Sequence, residues 1–199
     1  AGVPYKVYGG LRFFERQEIK HALAYLRLMA NLDDDTSWMR VVNFPPRGIG
    51  ARTLELLGDQ SKAYDTSLSA AVARVPGKGG SNLAQFSLLI QRLAQETRSL
   101  PLPELVEHVI EHSGLIGHYQ LDREGADRIE NLRELITAAA AFVSESEMGG
   151  LPAGEIVQTA GAQDPMQEGF DGLSPLMAFL SHAALEAGDN QAQAGQDAV

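Results

Sequence analysis

Asn43-Phe44-Pro45-Pro46-Arg47-Gly48-Ile49-Gly50-Ala51-Arg52-Thr53-Leu54 joins a rigid turn, closely spaced glycines and a pair of arginines immediately ahead of an expected helix. The prolines fix φ and withhold their amides, so the backbone reaches Arg47 stiffened and unable to continue as helix or central strand. Gly48 and Gly50 can take positive φ or let another backbone approach, and Ile49 between them can point inward as an anchor. Thr53, Leu54 and Leu57 predict the helix that follows. The first amides of a helix lack intrahelical acceptors and carry the positive end of its dipole, so such a terminus favours an anion. With Trp38, Met39, Val41 and Val42 upstream, the segment reads as helix, hairpin with Gly-Ile-Gly, helix, an arrangement that holds a nucleic-acid backbone without reading bases. The same pattern also suits a tight glycine-bearing loop between packed helices with no ligand.

Other chemistry finds weaker support. Gly77-Lys78-Gly79-Gly80 superficially resembles a phosphate-cradling loop, but Gly79 stands where a Walker loop needs Ser or Thr for magnesium. A flexible surface turn explains it better. His108 and His112 are spaced to share a metal, yet Glu111 is not placed as in HExxH and no third ligand is evident. Asp33-Asp34-Asp35 lacks the alternating ligands and glycine of an EF-hand, and helix capping accounts for it. Tyr5, Tyr8, Arg12, Phe13 and Phe14 could stack bases, but such a cluster is more often core and helix-docking surface. Arg123, Arg128 and Arg133 are interspersed with Glu124, Glu130 and Glu134 and read as ion-paired surface. No serine sits in a nucleophile elbow, and no carboxylate pair is set apart by apolar surroundings.

Composition narrows the partners. A chain of 199 residues with 44% hydrophobic residues fits one domain with a real core. No apolar run reaches transmembrane length, and no stretch of the sequence reads as a signal peptide. Cysteine is absent, which excludes disulfides, thiolate metal sites and a cysteine nucleophile, and suits a cytosolic protein. The net charge of −10 argues against general nucleic-acid binding, because neutralising phosphates supplies most of that affinity. Acidic residues are concentrated at 33–35, 145–147 and towards the C-terminus, away from the proline-glycine segment. One local basic patch on an acidic chain implies localised contact, as part of something larger.

The elements that must position the patch read as all-α. Ile19, Leu23, Leu26 and Ala30 predict an amphipathic helix over about 15–30, with further helices before and after the hairpin. Residues 67–75 read as a short helix ended by a flexible turn at 76–80. Leu83, Phe86, Ile90 and Leu93 share a face of a longer helix; Leu105, Val106, Val109 and Ile110 form the next, capped by Ser113-Gly114. Ile129, Leu132, Ile136, Ala139, Ala140 and Val143 make the best-patterned helix. Over 144–172 the pattern fails, predicting a mobile loop with a brief helical turn near 155–158. Ser174-Pro175 opens a last helix running to Gly188, and 189–199 reads as a linker. Residues 4–8 read as a short strand with no second strand to pair with, which together with the polar tail suggests an excised piece of a longer protein.

Residues 5–20 and 23–28, Arg47-Gly48-Ile49-Gly50 after Asn43-x-Pro45, the stretch 128–135 and the stretch 179–186 together resemble the superfamily 1 DNA helicases of the UvrD, Rep and PcrA group. The blocks fall in the family's order and cover nearly the whole chain apart from 144–172. His21 departs from the family's usual Asp, which bears on a local helix contact. The resemblance implies that residues 1–10 end a RecA-like 2A domain with one strand, that 11–188 form the helical 2B insertion domain, and that 189–199 lead back to 2A. It also implies a parent enzyme that uses ATP and magnesium to unwind DNA 3′ to 5′ in excision and mismatch repair, in the bacterial cytoplasm at the nucleoid. The ATP-binding loop, the magnesium-binding acidic motif and the arginine fingers of such a helicase lie in other parts of it, so this fragment is expected to hold no cofactor and to be inactive alone. Its implied partners are duplex DNA at a single-strand/double-strand junction, the motor domains of the same parent chain and DNA-repair proteins, with no membrane. In that reading Gly48, Ile49 and Gly50 offer backbone amides to duplex phosphates, while Arg47, Arg52 and Thr53 add charge and a hydroxyl. The alternative is a protein-interaction module that docks on motor domains or repair partners without significant DNA contact.

Overall fold

The computed structural model describes residues 12–149 and 174–194, and the regular structure among them is entirely helical. Its centre is α1 (Gln17–Ala30), which is buried nearly all round instead of along one stripe. Helices α2 (Asp35–Val41), α5 (Gly77–Glu96), α6 (Leu102–His112), α8 (Gly125–Gly149) and α9 (Pro175–Ala194) all pack on it. The expected amphipathic helix is therefore a core helix. Ala22 and Ala24 present little bulk between Leu23, Tyr25 and Leu26, so neighbours can approach from several sides. A tight turn at Phe13–Glu15 leads in, with Phe13 buried and Phe14 set edge-on to Phe179 and His182 of α9. The docking reading of these aromatics holds for Phe13 and Phe14; Tyr5 and Tyr8 lie outside the described residues.

The aspartate run caps and ties. Asp34 is the N-cap of α2, accepting the Ser37 amide at 3.1 Å and the Ser37 hydroxyl at 2.8 Å. Asp33 accepts the Ser67 hydroxyl at 2.6 Å and Asp35 the Leu68 amide at 3.0 Å, which fastens α2 to α4 (Leu68–Ala71). Between them α3 (Ala51–Tyr64) ends at Asp65, whose φ of 51° stops the helix.

Gly77 to Gly80 are not a flexible turn. They form the first turn of α5, after Pro76 in extended conformation as N-cap. Glycine suits this turn because the helix start folds back on its own approach: a Cβ at Gly80 would lie 1.8 Å from the Val75 carbonyl oxygen. The corner after α6 is as expected, with Ser113 as C-cap and Gly114 at φ 90°. Beyond it the six-residue α7 (Leu115–Gln120) is too short to show a period in sequence, and it is stabilised by burial of Leu115 and Tyr119.

Two expected boundaries move. Helix α8 runs through Gly149, so 144–149 is helix and not the start of a loop, and α9 continues past Gly188 to Ala194, so most of the expected linker is helical. The α9 start is as read, with Ser174 Oγ accepting the Met177 amide at 3.3 Å. The expected strand at 4–8, the stretch 150–173 with its predicted turn, and 195–199 lie outside the described residues.

A polar seam interrupts the apolar surface of α1. Glu18 accepts from Asn131 Nδ2 at 2.7 Å, Asn131 Oδ1 accepts from Arg16 at 2.6 Å, and Arg128 stands 3.9 Å from Glu18. Three residues on, the His21 ring stacks on Phe44 with centroids 3.9 Å apart, and its Nδ1 has no partner among the described residues. Burial lowers the His21 pKa to about 4, assisted by Arg40 and opposed by Glu18. The imidazole is thus neutral in the folded protein at pH 7.

Two tests follow from this packing. Gly80→Ala should destabilise the chain by about 2 kcal/mol through forced displacement of the α5 start, whereas Gly58→Ala, with open space at its Cβ inside α3, should stabilise it by about 0.5–1 kcal/mol. Denaturant unfolding measures both, and equal effects would refute the close approach at Val75. For His21, a folded pKa below the unfolded value of 6.5 means its contribution is complete above pH 6.5 and is lost as pH falls towards 4, by roughly 3 kcal/mol in total. His21→Gln should flatten the stability profile across that window, and an unaltered profile would show that another group dominates it.

Candidate nucleic-acid interface

The segment between α2 and α3 is organised by the Asn43 side chain. Its Oδ1 accepts the Arg47 amide at 2.8 Å and the Ile49 amide at 3.2 Å, closing the turn around Pro45 and Pro46. Gly48 takes φ 71°, which turns the chain so that Ile49 drops into the core at 2% exposure. Gly50 is the N-cap of α3 in ordinary extended conformation, and its Cβ would meet open space. It needs no special backbone freedom, but it leaves the surface bare. Ile49 is the expected anchor, yet its amide is already committed to Asn43 and is not available to a phosphate.

Arg47 also departs from expectation. Its Nη1 donates to the carbonyls of Val41 at 3.0 Å and Pro45 at 3.2 Å; its Nη2 donates to the Tyr25 hydroxyl at 2.6 Å and the Ser113 carbonyl at 3.0 Å. A guanidinium has four N–H donors on its terminal nitrogens, and these acceptors use all of them. The plane lies near the Tyr25 and Phe86 rings, 5.7 and 5.1 Å from their centroids. Tyr25 in turn donates to the Phe44 carbonyl, and burial raises its phenol pKa to about 12. The expected phosphate-facing arginine is turned inwards, because the carbonyls at the ends of α2 and α6 converge where only a charged planar fork satisfies them.

Arg52 and Thr53 sit in the first turn of α3, Arg52 exposed and Thr53 half-buried. This turn has no side-chain cap, and among the described residues the amides of Gly50, Ala51, Arg52 and Thr53 have no acceptor. Beside it stands a second helix start. A Cβ at Gly79 would fall 2.4 Å from Thr53 Oγ1, so only glycine lets the first turn of α5 close on α3. Asn82 Nδ2 donates to the Gly48 carbonyl at 3.2 Å and pins the hairpin to α5. The α5 start likewise has no side-chain cap, and it carries exposed Lys78 and Ser81. Neither Arg52 nor Lys78 has a carboxylate partner among the described residues. Two positive helix ends and two unpaired cations thus occupy one surface.

In sequence alone Lys78 and Gly79 read as part of a surface turn. The usable sign was the parallel between Pro45-Pro46-Arg47-Gly48 and Pro76-Gly77-Lys78-Gly79, each followed by an apolar helical pattern.

His108, His112 and Arg128 are engaged within the chain. His108 stacks on His112 at 4.0 Å and meets Glu96 at 2.8 Å, and no group of three or more metal-ligating side chains is arranged to hold an ion among the described residues. Arg128 pairs across to Glu18 and lies over the Tyr119 ring at 5.7 Å. No helix among the described residues is long and apolar enough to cross a membrane.

Sequence comparison finds relatives that match along the whole chain. DNA helicase II of Escherichia coli strain K12 is 44% identical over 207 residues, covering 100% of this chain and 26% of that protein. DNA helicase II of Haemophilus influenzae is 40% identical over 99% of the chain and 25% of its own length. ATP-dependent DNA helicase PcrA of Bacillus subtilis is 33% identical over 74% of the chain and 21% of its own length. The chain therefore spans about a quarter of the curated relatives it matches. The model of the UvrD-like helicase C-terminal domain matches residues 1–199, and the chain belongs to that family.

Proposed function

We propose that this chain is the duplex-binding and regulatory accessory domain, the 2B insertion, of an ATP-dependent 3′ to 5′ DNA helicase that acts at single-strand/double-strand junctions in DNA repair. ATP and magnesium serve the parent enzyme and are bound by its motor domains, outside this chain. The observation that carries the reading is the meeting of the uncapped starts of α3 and α5 beside unpaired Arg52 and Lys78. Free amides and helix dipoles attract a phosphodiester, and exposed cations add attraction that releases counterions.

In this reading the phosphate meets Gly48, Gly50, Arg52 and Thr53 on the hairpin side and Lys78 and Ser81 on the other. Ile49 holds the hairpin down. All of these contacts address backbone and none is shaped to read a base edge, which suits a motor that moves along any sequence. An overall charge of −10 keeps the rest of the surface from gripping DNA, so contact is confined to this patch.

The test is a salt titration of junction-DNA binding with the intact helicase. Arg52→Glu and Lys78→Glu should each weaken duplex binding by about 1–2 kcal/mol and reduce the slope of log K against log salt by about one. Together they should nearly abolish the duplex contribution while single-strand-stimulated ATP hydrolysis persists. Unchanged duplex affinity at low salt in the double variant would sink the proposal.

A further inference from the structure

We propose that Arg47 is the positioning residue of this interface: its guanidinium locks the hairpin to α1, to the end of α2 and to the α6–α7 corner, and makes no phosphate contact itself. The inference rests on the duplex-binding reading above and reverses the role that the residue type suggests.

Position supplies the argument. The hairpin runs from 42 to 50 and contains no internal ladder of backbone hydrogen bonds; besides the bonds to Asn43 and the burial of Val42 and Ile49 in the core, the described contacts that orient it are those of Arg47, the Tyr25 to Phe44 bond, the Asn82 to Gly48 bond and ring packing around Phe44. Arg47 alone spans three elements, reaching Val41 at the end of α2, Tyr25 on α1 and Ser113 at the end of α6. The Ser113 and Val41 carbonyls belong to helix ends, where the dipole is negative, so a half-buried cation is favoured there over any neutral donor. Pro45 completes the contact, with its Cγ 3.4 Å from where a Cβ of Gly114 would stand. Gly48 immediately follows the locked residue and Gly50 lies two residues further on. Their position relative to the α5 start therefore depends on the fork.

Charge and geometry are separable by experiment, because lysine keeps the charge but cannot supply two pairs of parallel donors. Junction-DNA affinity would be measured against salt for the intact helicase carrying Arg47→Lys, Arg47→Met or Tyr25→Phe, at a temperature where circular dichroism shows every variant folded. Tyr25→Phe keeps Arg47 and removes one of its acceptors. Positioning predicts that Arg47→Lys and Arg47→Met lose affinity alike, by about tenfold, with the salt slope unchanged from the parent and faster amide exchange at Gly48 and Ile49. Tyr25→Phe should show a smaller loss with the same slope.

Direct phosphate contact predicts the opposite: Arg47→Lys near parental affinity, and Arg47→Met weakened with its slope reduced by about one. That result overturns the inference, as do Arg47 variants with parental affinity and parental exchange. Arg52→Glu run in parallel separates the layers. If it leaves duplex binding intact, the underlying reading fails; if it weakens binding while Arg47 variants do not, only the positioning role fails.

Discussion

A buried helix that carries a polar seam governs this structure. Helix α1 is enclosed by five other helices, and a helix so enclosed is ordinarily apolar throughout. Instead Glu18, His21 and Tyr25 recur along one stripe, and each buried polar group requires a partner or loses free energy. Asn131 and Arg128 of α8 answer Glu18, the Phe44 ring covers His21, and the Phe44 carbonyl and Arg47 answer Tyr25. Apolar packing would allow α8 and the hairpin to slide on α1. The polar seam allows one register.

The exposed site inherits that precision. Its components are ordinary: uncapped helix starts, small residues, and arginine and lysine side chains free at the surface. What makes them a joint site is their closeness, enforced by Gly79 against Thr53 and by Asn82 on Gly48. The hairpin side of the Asn82 contact is backed by Arg47 and by the buried Ile49. Rigidity also suits the proposed task, since amides fixed in advance bind an anion without a further ordering cost.

Legibility in the sequence followed the range of the forces involved. The Asp34 cap, the Ser174-Pro175 start, the Ser113-Gly114 corner and the Ile49 anchor were readable because each is decided within a few residues. Helix α7 and the far ends of α8 and α9 were not, because short or polar stretches take helical form only when neighbours bury one side or when the helix simply continues. Gly77 to Gly80 misled for a related reason. Four residues rich in glycine favour a flexible turn in isolation, and only the tight return against Val75 and Thr53 makes them the start of a helix.

Arg47 marks the boundary between the two kinds of information most sharply. By itself the sequence determined the helical frame seen among the described residues, a stiff Pro-Pro hairpin with a buried Ile49, a local basic patch on an acidic background and the family to which those blocks belong. It did not determine which cation faces outwards. Tertiary structure decided that, because the carbonyls of Val41 and Ser113 and the hydroxyl of Tyr25, up to 66 residues distant from Arg47, converge only after folding. Once they do, satisfying them outweighs leaving the guanidinium in water, and Arg52 and Lys78 are the cations left exposed on that surface.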